Sequence, residues 1–336
     1  MARVAIVGSF NVDHVWRAPR LPRPGETLAG EYSTGPGGKG FNQAVAACRA
    51  GASTAFICAL GDDAGGALAR RLAAAEGIDL HALEAGAPTG TAGIYTDPDG
   101  QNSIVIGAGA NAALDAGFVQ SRRQVLRGAR VVLAQMESPP ASILAAMRIG
   151  REGGATAMLN PAPANAEVDA DLLAACDLIT PNETEFAALL QAHGHGDPGP
   201  DDVAGMQDTR LHALCRALLP HGSVVVTLGV AGSFASHPDD QLRGDDRPCY
   251  RVCAERVHTV DSTGAGDAYN GALAAALAAD TGRPFAAHLR FASRCAALST
   301  ERHGAALSMP ARGEVDRRFL AAAPGPPSTP GEPPLE

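Results

Sequence analysis

Aromatic side chains are scarce in this chain: they make up 4% of 336 residues, with one tryptophan, Trp16. A core with so few of them must be filled by small residues, and the abundance of Ala and the 39 Gly suit close packing of helices on a sheet. No apolar run approaches the ~20 residues needed to cross a bilayer, so neither a membrane span nor a membrane partner is expected. The apolar part of residues 1–8 is too short for a signal peptide and reads as a first strand. The seven cysteines (48, 58, 176, 215, 249, 253 and 295) contain no CxxC pair. Cys249 and Cys253 lack a second ligand pair nearby, which argues against zinc, and the scattered odd set fits a reduced, cytoplasmic protein. Positive charge is also in short supply: 27 Lys and Arg against 36 Asp and Glu give a net charge of −9. That balance argues against a nucleic-acid-binding surface, while a small anion could still be held by local dipoles.

Short apolar runs alternate with Ala/Leu-rich stretches, the pattern of a three-layer α/β/α fold on a mainly parallel sheet. Strands are expected over 3–8, 53–59, 131–136, 155–160, 178–180 and 223–228, and helices over 42–50, 65–76, 141–152 and 183–191. The run Val224-Val-Val226 shows no alternation, as expected of a strand covered on both faces. Residues 14–34 and 91–106 break the rhythm, the second around the turn Asp97-Pro-Asp-Gly100. They read as strands of a small projecting sheet that could act as a lid, or as an added edge of the main sheet. One domain is expected over 1–320, followed by a disordered Pro-rich tail at 321–336. His193 and His195 fall in a turn-rich stretch expected to be a surface loop rather than a metal site.

The segment Asp261-Ser-Thr-Gly-Ala-Gly-Asp267 precedes an Ala-rich helical run. Small residues at 264 to 266 allow a tight turn whose N–H groups, at a helix start, can hold an anion. Beside a bound phosphate, Asp267 could take a proton from an attacking hydroxyl. Taken alone, the same residues also suit an acidic helix cap. The segment Gly35-Pro-Gly-Gly-Lys-Gly40 is not a P-loop, because Ser33 and Gly40 stand where Gly and Ser/Thr are required. Asn11, Asp13, Gly37, Gly38, Lys39 and Asn42 instead offer amides, a carboxylate and an ammonium at a strand end and a helix start. Such donors and acceptors suit a polyhydroxylated ligand in the crevice of an α/β sheet.

These segments, with Met136-Glu-Ser-Pro139, Asn160-Pro-Ala-Pro-Ala164, Thr180-Pro-Asn-Glu-Thr-Glu185 and Thr227-Leu-Gly229, occur in an ordered series over about residues 3–310. In that order the chain resembles the phosphofructokinase-B-type (ribokinase-like) sugar kinases. The resemblance implies transfer of phosphate from ATP to the 5-hydroxyl of D-ribose, with deoxyribose, fructose or a nucleoside as alternative acceptors. It assigns Asp267 as base and the N–H groups of Gly264, Ala265, Gly266 and Asp267 as the phosphoryl-holding turn. It assigns Asn11, Asp13, Gly38, Lys39, Asn42 and Glu137 to the sugar. Asn182 and Glu185 match the region of the nucleotide phosphates and hydrated Mg2+, while Thr227, Gly229, Gly232, Gly266 and Ser293 match nucleotide contacts. Asp261, Thr263, Ser299, Arg302, Gly304 and Ser308 match a K+ site built mostly from backbone carbonyls. A homodimer through the lid is implied as well. Phe41 departs from the small residue usual there and is expected to pack in the core rather than face the sugar.

Overall fold

The computed structural model describes residues 3–279 and 282–320; the expected tail at 321–336 lies outside the described residues. Its strands in chain order are β1 (Arg3–Val7), β2 (Asn11–Arg17), β3 (Glu31–Gly37), β4 (Ser53–Gly61), β5 (Asp79–Ala85), β6 (Gly90–Thr96) and β7 (Asn102–Gly107). They continue with β8 (Val131–Gln135), β9 (Thr156–Asn160), β10 (Leu178–Ile179), β11 (Ser223–Thr227), β12 (Ser233–Ser236) and β13 (Cys249–Val252). Nine of these form one sheet in the order β13-β12-β11-β10-β9-β8-β1-β4-β5. Pairing is parallel from β11 to β5, and antiparallel only where β12 and β13 add an edge.

Successive residues of a strand point to opposite faces, and both faces of this sheet are covered. Val4 and Ile6 of β1 pack into one apolar core with the helices Lys39–Arg49, Ala265–Ala279 and Phe285–Ser299. Ala5 and Val7 pack into a second core with the helices Pro140–Glu152, Glu183–Ala192 and Asp208–Leu218. This double burial is why the strands show no alternation in sequence. Between Ala268 and Leu273, Gly271 brings the Ala265–Ala279 helix against its neighbour: a Cβ there would lie 2.5 Å from the Gln43 carbonyl and 2.6 Å from Ala46 Cβ. The scarcity of large side chains is thus what permits helices this close. No helix among the described residues is long and apolar enough to cross a membrane.

The chain leaves β1 for β4 and β5 on one side, then returns to β8 on the other. Such a reversal of strand order opens a crevice beyond the strand C-termini. The ends of β1, β8 and β9 and the start of the Lys39–Arg49 helix meet there, as the contacts below show.

The second sheet has the order β3-β2-β6-β7 and is separate from the first, not an added edge of it. Its strands extend beyond the expected spans of 14–34 and 91–106, because Asn11 pairs with both Gly37 and Gly90. Pairing therefore begins almost where β1 ends. Trp16 stacks on Tyr95 and lies against Tyr32, each at 5.2 Å between ring centroids, and His14 stacks on Tyr32 at 6.0 Å. The few aromatic residues outside the core are concentrated on this one face. Within the expected loop around His193, Pro200–Val203 forms a short helix, and the His193 ring bonds the Val168 carbonyl at 2.9 Å. Among the described residues no group of three or more His, Cys, Asp or Glu could hold a metal ion.

Candidate active site

Gly264 turns the chain into the Ala265–Ala279 helix at φ 77°, a left-handed conformation favouring glycine. A Cβ there would also sit 2.9 Å from Ala305 Cβ. At Gly266 a Cβ would meet nothing within 4 Å, so the first helical turn is bare on the side of a cavity of about 190 Å3. First-turn N–H groups lack intrahelical acceptors and carry the positive end of the helix dipole. The Ala265 N–H already bonds the Ser262 carbonyl at 3.1 Å, so Gly264, Gly266 and Asp267 have the less encumbered amides of the expected turn.

Asp267 is buried at the head of this helix. Two consecutive residues of the Lys39–Arg49 helix hold its two oxygens: Asn42 Nδ2 donates to Oδ2 and Gln43 Nε2 to Oδ1, each at 2.9 Å. Burial raises its pKa above the usual carboxylate range, and the Lys39 charge with these two bonds offsets only part of that. Asn42 Oδ1 is buried beside it without a hydrogen-bond partner.

Of the residues expected to hold the sugar, Asn42 bonds this carboxylate, and Lys39, Glu137 and Asp13 lie close enough for their charges to act on it or feel it. Gly38 caps the Lys39–Arg49 helix at φ 86°, and a Cβ there would lie 2.8 Å from the Asn11 nitrogen, so the end of β2 can lie directly on the helix start. That contact places the helix start at Lys39 rather than at the expected 42. Asp13 packs on Gly37, where a Cβ would lie 2.2 Å from its carboxylate oxygens. Burial, then the charges of Glu137 and Asp267, push the Asp13 pKa up to about 7. Glu137 accepts from Ser9 Oγ at 2.6 Å and from the Lys39 N–H at 3.0 Å. With Asn11 and Ile106 it lines an adjoining cavity of about 330 Å3. Burial works against the Lys39 ammonium, yet the carboxylates of Asp267, Glu137 and Glu185 outweigh it and leave its pKa above the ordinary value.

Lys39, Asn182, Glu185 and Thr227 share the 190 Å3 cavity with the Gly264–Asp267 turn. Asn182 and Glu185 form a capping box for the Glu183–Ala192 helix: Asn182 Oδ1 accepts from the Glu185 N–H at 2.8 Å, and Glu185 Oε2 accepts from the Asn182 N–H at 2.9 Å. Burial raises the Glu185 pKa. Gly229 and Gly232 bound the turn between β11 and β12, both at positive φ, and a Cβ on Gly232 would strike the Val252 carbonyl at 2.0 Å. Ser293 is buried in the Phe285–Ser299 helix and does not line this cavity.

Asp261 ties the turn to the following segment. Its Oδ1 accepts from the Thr263 N–H and its Oδ2 from the Gly304 N–H, both at 2.9 Å, and these bonds outweigh burial and hold its pKa below the usual value. Ser299 and Ser308 are buried close by in sequence, with hydroxyls bonded to the Ala296 and Ala305 carbonyls. The Arg302 guanidinium turns away to Glu314 at 2.7 Å, so only its backbone is available to a cation.

Phe41 is buried and packs edge-on against Phe10 at 5.1 Å, with Phe56 at 6.0 Å. It faces the core, not the crevice.

Sequence reasoning gave no role to a buried polar frame behind Asp267. Gln43 Nε2 also donates to Asn160 Oδ1 at 3.0 Å, Gln43 Oε1 accepts from Gln135, and Asn160 Nδ2 donates to the Thr180 carbonyl at 3.0 Å. Thr180 in turn bonds Asn270, which donates to the Gly266 carbonyl at 2.8 Å. Asn160 opens a motif already noted and Gln43 directly follows Asn42; their spacing carries no sign that they meet.

Residues 1–312 match the family model described as pfkB family carbohydrate kinase. The chain is 36% identical over 319 residues to the ribokinase of Haemophilus influenzae, covering 93% of this chain and 96% of that one. Among solved structures it resembles a ribokinase from Giardia lamblia, with a TM-score of 0.83, 29% identity and coverage of 96% and 99%. It also resembles an Arabidopsis thaliana ribokinase complexed with ribose and ATP, with a TM-score of 0.79, 29% identity and coverage of 94% and 98%.

Proposed function

The chain belongs to the pfkB family of carbohydrate kinases, and from that premise we propose that it transfers the γ-phosphoryl group of ATP to the 5-hydroxyl of D-ribose, giving ribose 5-phosphate and ADP. The observation that carries this reading is the placement of Asp267. It lines the 190 Å3 cavity together with Lys39 and the turn residues Gly264, Ala265 and Gly266, so a hydroxyl and a phosphoryl group held there lie beside the base. Asp267 takes the proton of the attacking hydroxyl, and the first-turn N–H groups stabilise charge on the transferring phosphoryl group. Asn11, Asp13, Gly38, Lys39, Asn42 and Glu137 bind and orient the sugar. Asn182, Glu185, Thr227, Gly229 and Gly232 line the nucleotide side, with Ser293 towards the adenine. When bound with ATP, magnesium neutralises phosphate charge. Glu185, whose second oxygen is outside the capping box, and Asn182 would meet its hydration shell, which suits an ion that keeps most of its waters. The deciding experiment is a coupled ADP-release assay over ribose, deoxyribose, fructose and nucleosides. Ribose should have the highest kcat/KM, and a clear preference for another acceptor would defeat the assignment.

We assign a K+ site to Asp261, Thr263, Ser299, Arg302, Gly304 and Ser308. The hard oxygen donors of this segment suit a monovalent cation, and Asp261 already joins it to the phosphoryl-holding turn. Potassium should raise kcat at saturating substrates well above the value in sodium alone, and Asp261→Ala should abolish the difference. Equal rates in the two salts would remove the site.

The small sheet is assigned as a lid that excludes water from the transfer, and a second copy of the chain as its partner in a homodimer. Tyr32 and Val105 lie on one face of it and leave more than half of their surface exposed, an apolar surface of the kind that marks an interface. Sedimentation should give a dimer that Val105→Glu dissociates; a wild-type monomer at high concentration would sink the assignment. All seven cysteines are free thiols, which suits the reducing cytoplasm in which we place the reaction.

A further inference from the structure

We propose that Gln43 is a positioning residue for the phosphoryl transfer, its side-chain amide fixing the rotation of the Asp267 carboxylate while Gln135 and Asn160 lock the amide itself. The proposal rests on the reading of Asp267 as the base. Gln43 is fully buried. Both of its amide hydrogens are used, towards Asp267 Oδ1 at 2.9 Å and Asn160 Oδ1 at 3.0 Å, and its oxygen accepts from Gln135 Nε2. A flipped amide would set its oxygen against two acceptors and its NH2 against the NH2 of Gln135. One orientation therefore survives.

The frame that imposes it is stiff. Gln135 ends β8 and Asn160 ends β9, and Asn160 is tied in turn to the Thr180 carbonyl just past β10. Three adjacent strand ends of the main sheet thus act through one side chain on a carboxylate belonging to the opposing helix. The torsion that orients a carboxylate is otherwise broad and roughly two-fold. Asn42 alone would leave Asp267 free to swing about one held oxygen, whereas Asn42 and Gln43 together hold both. A general base must meet the hydroxyl along its own lone pair, and misplacement by ~1 Å can cost ~10²-fold in rate. Gln43 does this without adding charge. The charged groups around Asp267 are Lys39, Glu137, Asp13 and Glu185, so a second ammonium or carboxylate here would disturb the balance among them.

A purely architectural role, joining helix to sheet by buried polar bonds, predicts lost stability and nothing more. The test compares Gln43→Leu, Gln43→Glu, Gln135→Leu and Asp267→Asn in the full chain, with kcat counted per ADP-binding site so that unfolded protein is excluded. For Gln43→Leu, kcat should fall roughly 10- to 100-fold with KM for ribose within about threefold. Its acid limb should move to higher pH, because the base has lost a donor that favoured its charged form. Gln43→Glu can donate only when protonated, so its kcat should fall with rising pH over the range where the wild type gains. Gln135→Leu, which does not touch Asp267, should show the Gln43→Leu changes to a smaller extent, and it decides the matter if Gln43→Leu does not fold. Wild-type kcat per site with an unshifted pH profile would overturn the positioning role, whatever happens to the melting temperature. If Asp267→Asn itself kept its turnover, the base would have been misassigned; collapse of Asp267→Asn beside normal Gln43→Leu kinetics removes only the role of Gln43.

Discussion

Replacing Asp267 by Asn should lower kcat by roughly 10³-fold or more, the upper part of the range for loss of a general base, while ATP and ribose still bind. Asn has the size of Asp but no basic oxygen for the proton of the attacking hydroxyl. The groups assigned to the ligands remain in place: Lys39, Glu137 and Asn11 do not depend on the charge at 267 for their backbone positions, and the first-turn N–H groups belong to the helix. The fold should tolerate the change. One of the two donors, Asn42 Nδ2 or Gln43 Nε2, would face the new NH2 and lose its acceptor, at a cost of about 1–3 kcal/mol. Against this, a buried carboxylate whose pKa is already raised is a costly charge, and the variant removes that cost. Calorimetric binding of ribose and of a non-hydrolysable ATP analogue, with single-turnover kinetics, checks the split. Turnover near wild type would take Asp267 out of the mechanism.

The parts of this site that lie on one stretch of chain were legible in the sequence, and the parts made by long-range contact were not. Gly264 announces a tight turn before a helix, and Gly38 before Lys39 announces another, because both sit at a positive φ that favours glycine. The parallel strands were recognisable from unbroken apolar runs such as Val224–Val226. The β12 and β13 edge went unseen: its strands have four residues each, too short for a periodic pattern to stand out. The bounds of the small sheet were missed for a similar reason, since Asn11 and Gly37 look like loop residues until they pair. Gln43, Gln135, Asn160 and Asn270 are the sharpest case. A neutral amide has no spacing rule, and its role appears only when residues 43, 135, 160 and 267 share one buried point. Phe41 shows the converse. Its size alone was ambiguous between pocket and core, and the rings of Phe10 and Phe56 settle it in favour of the core.

Replacing Lys39 by Met should lower kcat at neutral pH by roughly 10²-fold or more, in the range for losing a group that tunes a base, and the loss should shrink as the pH is raised. Lys39 sits among the carboxylates of Asp13, Glu137, Glu185 and Asp267, and its positive charge opposes the effect of burial on both Asp267 and Glu185. Met keeps the length and apolar body of the side chain but not the charge. Without that charge both carboxyls hold their protons to higher pH, so a larger fraction of Asp267 is protonated and inactive as a base at pH 7. Asp13 adds to this, because it ionises near pH 7 and places a further negative charge beside Asp267 as it does so. The acid limb of the rate profile should therefore move upward, and alkaline buffer should restore part of the turnover. Stability should follow the same sign. A carboxyl whose folded pKa exceeds its unfolded one stabilises the fold fully below the unfolded value, and that contribution is lost as the pH rises through the folded value. Removing Lys39 enlarges this penalty for Asp267 and Glu185, so the melting temperatures of variant and wild type should be closest in acid and furthest apart at pH 8. A variant with the wild-type pH profile and a constant melting difference would show that Lys39 acts on the ligands alone, leaving the ionisation of the base to the amides of Asn42 and Gln43.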